Sequence, residues 1–201
     1  MAPMRIPAPD LERDGIRLRL LKRRDEGEWI ALRARNRDWL RPWEATAPPG
    51  SADRPVSFGT FIRKENAMWK SRRSFPMVIE KDGRLVGRVT LGRIEWGAER
   101  GGSLGYWVSQ DQAGHGIAPT AVVLMCEFAF AEGLHRIEVA IRPENAASLT
   151  VARKLDLREE GMRQSYLYID GAWRDHRIFA ATTQERRSGA WWTGVHRTVS
   201  G

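Results

Sequence analysis

Between Ser103 and Ile141 the chain runs through a strand, a glycine-rich junction, an apolar helix and a second strand, and no other stretch limits the possible folds as much. Ser103-Leu-Gly-Tyr-Trp-Val-Ser109 has strand composition, and Gln110 to Ala118 forms the junction. A helix containing Ala121-Val-Val-Leu-Met-Cys-Glu-Phe-Ala-Phe130 then extends to about Gly133, and His135 to Ile141 reads as another strand. A helix this apolar must lie against a sheet, so the unit is a crossover inside a layered α and β structure.

The remaining pattern builds the sheet around that unit. Gly15 to Leu21 alternates as a strand, Asp25 to Arg37 has the spacing of an amphipathic helix, and a breaker-rich loop leads to a second helix over 56–70. Phe75 to Glu80 and Leu85 to Trp96 flank Asp82-Gly83, a hairpin signal, and Ser103 to Ser109 completes an antiparallel meander. After a short helix over 145–155, a second Asp-Gly hairpin joins 163–169 to 174–180. The expected order is βααβββαβαββ, an α+β fold whose mixed, mostly antiparallel sheet has about seven strands flanked by four helices. With 42% hydrophobic residues in 201, the expectation is one domain over 15–182, a leader over 1–14 and a tail over 183–201 that carries Trp191-Trp192.

Several function classes lose ground. No apolar run approaches the roughly 20 residues that span a bilayer, and the opening Met1 to Asp10 lacks a signal-peptide core, so a cytoplasmic protein without a membrane partner is expected. The only cysteine, Cys126, lies inside the apolar helix and is expected in the core, which leaves no multi-cysteine metal site. A net charge of +8 attracts polyanions, including nucleic acid, a ribosomal surface or a phosphorylated cofactor. The arginines are scattered among acids with no nucleic-acid module, so direct nucleic-acid readout is not expected.

Chemistry concentrates in Ala113-Gly-His-Gly-Ile-Ala118, between strand and helix. Small residues there let several backbone N–H groups turn towards one anion at the helix N-terminus, although glycines also occur at such junctions for the turn alone. The segment lacks the Lys-Ser/Thr of a nucleotide-triphosphate loop and does not match a dinucleotide fingerprint.

Leu104 to Ala118 resembles the acetyl-CoA pyrophosphate loop of GNAT acetyltransferases, and Arg142-Pro-Glu-Asn-Ala-Ala-Ser148 with Ala152 to Leu157 resembles the motif that follows it in them. Asn36-Arg-Asp-Trp-Leu-Arg-Pro-Trp-Glu44 and Gly171-Ala-Trp-Arg-Asp-His176 are similar to the RimJ/RimL-type branch, whose members acetylate ribosomal-protein N-termini. The resemblance covers roughly residues 15 to 181. It implies the GNAT fold, acetyl-CoA as co-substrate with no metal, and direct attack by an α-amino group without a covalent enzyme intermediate. It implies further that Trp107 and Val108, on a splayed strand, present backbone groups to the pantetheine arm. Ala113, Gly114, His115, Gly116, Ile117 and Ala118 would hold the pyrophosphate, Asn145 would bond the pantetheine, and Ser148 would lie near the cofactor sulfur. Asn145 and Ser148, three apart before a helix, also read as a simple helix cap.

The sequence departs from the family at Ala113, where Arg or Gln is frequent, and lacks the Glu common beside the Gly-Tyr-Trp strand or on the sixth strand, having Ser103 and Gln164 to Tyr168 instead. The general base is therefore unassigned. Glu95 and Glu44 are candidates for attracting the ammonium or receiving its proton, Glu138 is no better placed, and His135 and His176 have no identifiable partner. Trp39 and Trp43 fit either a structural plug or the walls of a peptide groove. A small-molecule amine acceptor and a non-catalytic module that binds acyl-CoA or the ribosome both remain open, as does the choice between monomer and homodimer.

Overall fold

The computed structural model describes residues 9–51 and 56–188, with side chains described to residue 185. Among these residues one sheet of eight strands runs in the order β1-β2-β3-β4-β5-β6-β8-β7. The strands are β1 (Leu11–Arg13), β2 (Ile16–Arg19), β3 (Phe75–Lys81), β4 (Arg84–Glu95), β5 (Gly101–Val108), β6 (Arg136–Ile141), β7 (Arg158–Ile169) and β8 (Ala172–Thr182). Six helices accompany them: α1 (Glu26–Arg35), α2 (Arg37–Leu40), α3 (Phe58–Lys70), α4 (Ile117–Ala131), α5 (Ala146–Lys154) and α6 (Thr183–Ser188).

Three features add to the expected order, one being the four-residue helix α2 where the breaker-rich loop begins. A strand, β1, pairs Leu11 with Leu18 through the turn Asp14-Gly15, inside the stretch read as leader. It is three residues long, too short for alternation to show. α6 occupies the start of the stretch read as tail, whereas Trp191-Trp192 lie outside the described residues. Asp14-Gly15, Asp82-Gly83 and Asp170-Gly171 all have positive φ at both residues, the conformation that tight hairpins need and that Asp-Gly adopts at low cost.

α4 crosses one face of the sheet, packing on β1, β2, β4 and β5, and every residue from Ala121 to Phe130 is buried. Trp69, Phe75 and Phe128 form an aromatic cluster beneath it, with ring centroids 5.0 to 5.7 Å apart. On the other face, α1 and α3 bury Trp29, Leu32 and Ile62 against Val78 and Leu85. Cys126 is buried in the α4 core, and burial pushes its thiol up to about 12, which leaves it unreactive at neutral pH. β7 is one edge of the sheet and opens with the charged run Arg158-Glu159-Glu160, a composition that discourages pairing with another strand.

The arrangement of β5 positions the site. β5 pairs with β4 along its whole length but runs parallel to β6 only from Gly101 to Ser103, so beyond Ser103 the sheet opens between them. Because the Ser109 N–H bonds the Val86 carbonyl at 2.7 Å, alternation turns the backbone polar groups of Leu104, Tyr106 and Val108 away from β4, towards this gap. Close approach is required at Gly87 as well, where an added Cβ would lie 2.3 Å from the Trp107 carbonyl oxygen.

Candidate active site

A cavity of about 690 Å³ occupies the gap. Its floor is β5 from Ser103 to Trp107 and β6 from Val139 to Ile141, with Arg142 on the turn that follows. Trp29, Phe58, Phe61 and Trp43 supply aromatic walls, and Asn145 and Ser148 border it from α5. The two tryptophans of the breaker-rich loop have different roles. Trp43 lines the cavity with the Arg142 guanidinium 5.4 Å above its ring, whereas Trp39 is a tie whose Nε1 donates to the Val108 carbonyl at 3.1 Å. That bond removes one of the Val108 backbone groups from those able to meet a ligand.

At the end of β5 the chain makes a 3-10 turn, Gln110–Gln112, and enters α4 through Gly114 (φ 84°) and Gly116 (φ 76°). Both glycines are in the left-handed region, where a Cβ is disfavoured. Gly116 is the N-cap of α4 and offers no capping side chain. Among the described residues, no hydrogen-bond partner meets the backbone N–H groups of residues 114–118, and Ala113 to Gly116 are exposed. Free donors at the N-terminus of a 15-residue helix are suited to a phosphate group. His115 is exposed between the two glycines.

Asn145 is the N-cap of α5, its Oδ1 accepting from the Ser148 N–H at 3.0 Å. The cap occupies its oxygen, so its Nδ2 is the group left to donate to a ligand. The Ser148 hydroxyl neighbours that of Tyr106, which is buried without a well-formed hydrogen bond among the described residues. Burial pushes the Tyr106 phenol up to about 12, partly opposed by Ser148, so it is neutral at pH 7.

The candidate acids separate. Glu44 lines the cavity, paired with Arg33 at 2.6 Å. Glu95 does not line it. It pairs with Gly101 at the other end of β5, where β5 and β6 are still joined, so the structure does not bring it to this cavity. Glu138 is bound by Arg136 and Arg163 at 2.7 and 2.9 Å. Both histidines read as partnerless have partners. His135 Nδ1 lies 2.9 Å from Thr183 Oγ1, and His176 Nδ1 lies 3.0 Å from the Arg174 carbonyl.

Sequence reasoning missed Tyr106, Arg88 and Arg142 among the lining residues, and set aside His176, which also lines the cavity, for want of a partner. Tyr106 was detectable, being two residues before Val108 on one strand. Arg88 is held by Glu65 at 2.5 Å, beside the Trp29 and Phe61 rings, through contacts between separate elements that no local pattern reveals.

The Acetyltransferase (GNAT) domain family matches residues 16–158. A probable N-acetyltransferase of Bacillus subtilis (strain 168), YjcK, is 30% identical over 172 residues, covering 82% of this chain and 92% of that protein. The [ribosomal protein uS5]-alanine N-acetyltransferase of Escherichia coli (strain K12) is 27% identical over 187 residues, covering 90% and 94%. Mycobacterium smegmatis RimJ, solved in complex with CoA-disulfide, superposes with a TM-score of 0.79 at 35% identity, covering 92% of this chain and 90% of that one.

Proposed function

This chain belongs to the GNAT acetyltransferase family, and on that premise we propose that it transfers an acetyl group from acetyl-CoA to the α-amino group of a protein N-terminus. A ribosomal protein is the acceptor class that the names of its relatives point to. The observation that carries this reading is the cavity where β5 parts from β6, with a free backbone edge on one side and aromatic walls on the other. An extended peptide can enter along such walls while its terminal nitrogen reaches the strand edge.

The residues fit the co-substrate. The N–H groups from Gly114 to Ala118 receive the pyrophosphate, with Ala113 and His115 at the rim, and the Val108 N–H and the Nδ2 of Asn145 meet the pantetheine amides, whereas the Trp107 backbone faces β4. Acetyl-CoA supplies an activated acyl carbonyl. The amine attacks that carbon directly, and an N–H on the open edge of β5 stabilises the oxyanion. Ser148 hands a proton to the departing thiolate, and Glu44 draws the ammonium into the cavity. The cavity volume, within the roughly 300–1,000 Å³ of small-ligand sites, favours a second reading in which a small amine is acetylated by the same chemistry.

The test is thiol release from acetyl-CoA with peptides that differ at the N-terminus (Ala, Ser or Met), with a blocked peptide carrying internal Lys as control. Turnover of free N-termini only, reduced in Asn145→Ala and Ser148→Ala proteins, is expected. Turnover of small amines without peptides overturns the acceptor assignment. Tight acetyl-CoA binding with no turnover of any amine overturns the enzymatic reading.

A further inference from the structure

Among the described residues, six titratable side chains line the cavity: Arg33, Glu44, Arg88, Tyr106, Arg142 and His176. Guanidinium groups do not give up a proton in proteins. The Tyr106 phenol, pushed up to about 12, stays neutral. Glu44 is engaged by Arg33, and its side chain is 45% exposed.

His176 differs from all of these. It is 3% exposed on β8, and its Nδ1 faces a carbonyl, which can only accept, so Nδ1 carries the hydrogen and the lone pair of the neutral ring is on Nε2. Among the described residues nothing bonds Nε2. A buried ring with one nitrogen committed to the backbone and the other unpartnered, bordering the cavity that holds Ser148, is arranged to accept a proton.

The geometry points to Nε2 of His176 as the group that takes the proton from the acceptor amine. This rests on the acetyl-transfer reading, and it assigns the base that the sequence leaves open. The nitrogen lone pair forms the bond to the carbonyl carbon, which makes the N–H protons far more acidic, and one of them passes to Nε2. The C–S bond breaks with its electron pair left on sulfur, and the thiolate takes a proton through Ser148. The imidazolium returns its proton to solvent through the cavity, so the net change is amine plus thioester to amide plus thiol.

The charges around the ring are compatible with this. Burial lowers the His176 pKa, and Arg142, on the turn after β6, lowers it further. The Arg174 carbonyl, Asp175 on its own strand and Glu144 before α5 act in the opposite direction without reversing it. From β7, the Tyr166 ring meets it edge-on at 5.7 Å and Arg163 is its register partner. The ring is therefore neutral at pH 7.

The experiment measures kcat against pH for the full chain, using the amine that the wild-type protein turns over fastest. It compares wild type with His176→Asn, whose amide can still donate to the Arg174 carbonyl but cannot take up a proton. The expected result is a fall in kcat of about 10²–10⁴-fold. The limb that rises through a pKa below 6.5 should also disappear, with acetyl-CoA affinity unchanged. An unchanged kcat with that limb retained overturns the assignment. If His176→Asn does not fold, His176→Gln takes its place. Ring-nitrogen NMR of the wild-type protein supplies a readout free of any acceptor: a hydrogen on Nε2 at pH 7 overturns the proposal, and a bare Nε2 supports it. A wild-type protein active on small amines but not peptides removes the N-terminal reading while leaving His176 testable on that amine.

Discussion

Asn36 shows how one polar side chain can hold a site that it does not line. It is 1% exposed, and its Nδ2 donates to the Leu32 carbonyl and the Ser109 hydroxyl, both at 2.9 Å. Its Oδ1 accepts from the Gln110 N–H at 2.9 Å. The end of α1 is thereby tied to the point where β5 turns towards the glycine junction. Replacing it with Ala removes the partner of the part-buried Gln110 N–H and leaves the Ser109 hydroxyl with Asp111 alone, a loss of about 1–3 kcal/mol. The expected outcome for Asn36→Ala is a fall in melting temperature of about 4–10 °C, read by calorimetry, with weaker acetyl-CoA binding because the junction loses its anchor. Asn36 stood out in the sequence only through resemblance, since nothing in its neighbours shows that it would meet residues more than seventy positions away.

At the scale of elements, the junction into α4 is the part of the site most legible in sequence. Two glycines between a strand and an apolar helix predict a turn with positive φ and exposed donors, and Gly114 and Gly116 have both. Gly116→Val should strain the left-handed N-cap by about 1–2 kcal/mol, tilting the free N–H groups. The expected outcome is a rise of several-fold in the KM for acetyl-CoA with kcat at saturation nearly unchanged, measured by steady-state kinetics. An unchanged KM would show that the cradle is not the phosphate site. The Asp-Gly hairpins at 82–83 and 170–171 were equally readable, while the third, at 14–15, was not, because β1 is only three residues long. The opening between β5 and β6 was beyond any local reading. It depends on where two strands joined by a 15-residue helix stop pairing, and that register belongs to the whole sheet.

At the scale of the molecule, ion pairs join neighbouring elements of the sheet and its helices. Arg19 on β2 joins Asp25, before α1, and Glu80 on β3, each at 2.7 Å. Arg136 on β6 and Arg158 on β7 both hold Glu160. Burial alone would raise the Asp25 carboxyl, but the Arg19 bond and the Lys22 N–H outweigh it and hold its pKa below the ordinary value. The Glu160 carboxyl is lowered to about 2 by hydrogen bonds from Arg136 and then Arg158. For a carboxylate lowered in the folded state, the stabilisation is complete above its unfolded pKa, near 4, and is lost as pH falls through the folded value. His176 acts in the same direction from a higher pH. Held neutral chiefly by burial, it favours the fold above its unfolded pKa of about 6.5 and works against it as the unfolded chain takes up the proton. The melting temperature should therefore decline gently from about pH 6.5 and steeply from about pH 4 towards 2. Asp25→Asn should melt several degrees lower at pH 7, because Arg19 loses an ionised partner, and its curve should approach wild type at the acid end, where Asp25 is itself protonated. Parallel curves for the two proteins across the whole range would mean that the Arg19 pair contributes nothing to acid sensitivity, and would leave the Glu160 cluster as its source.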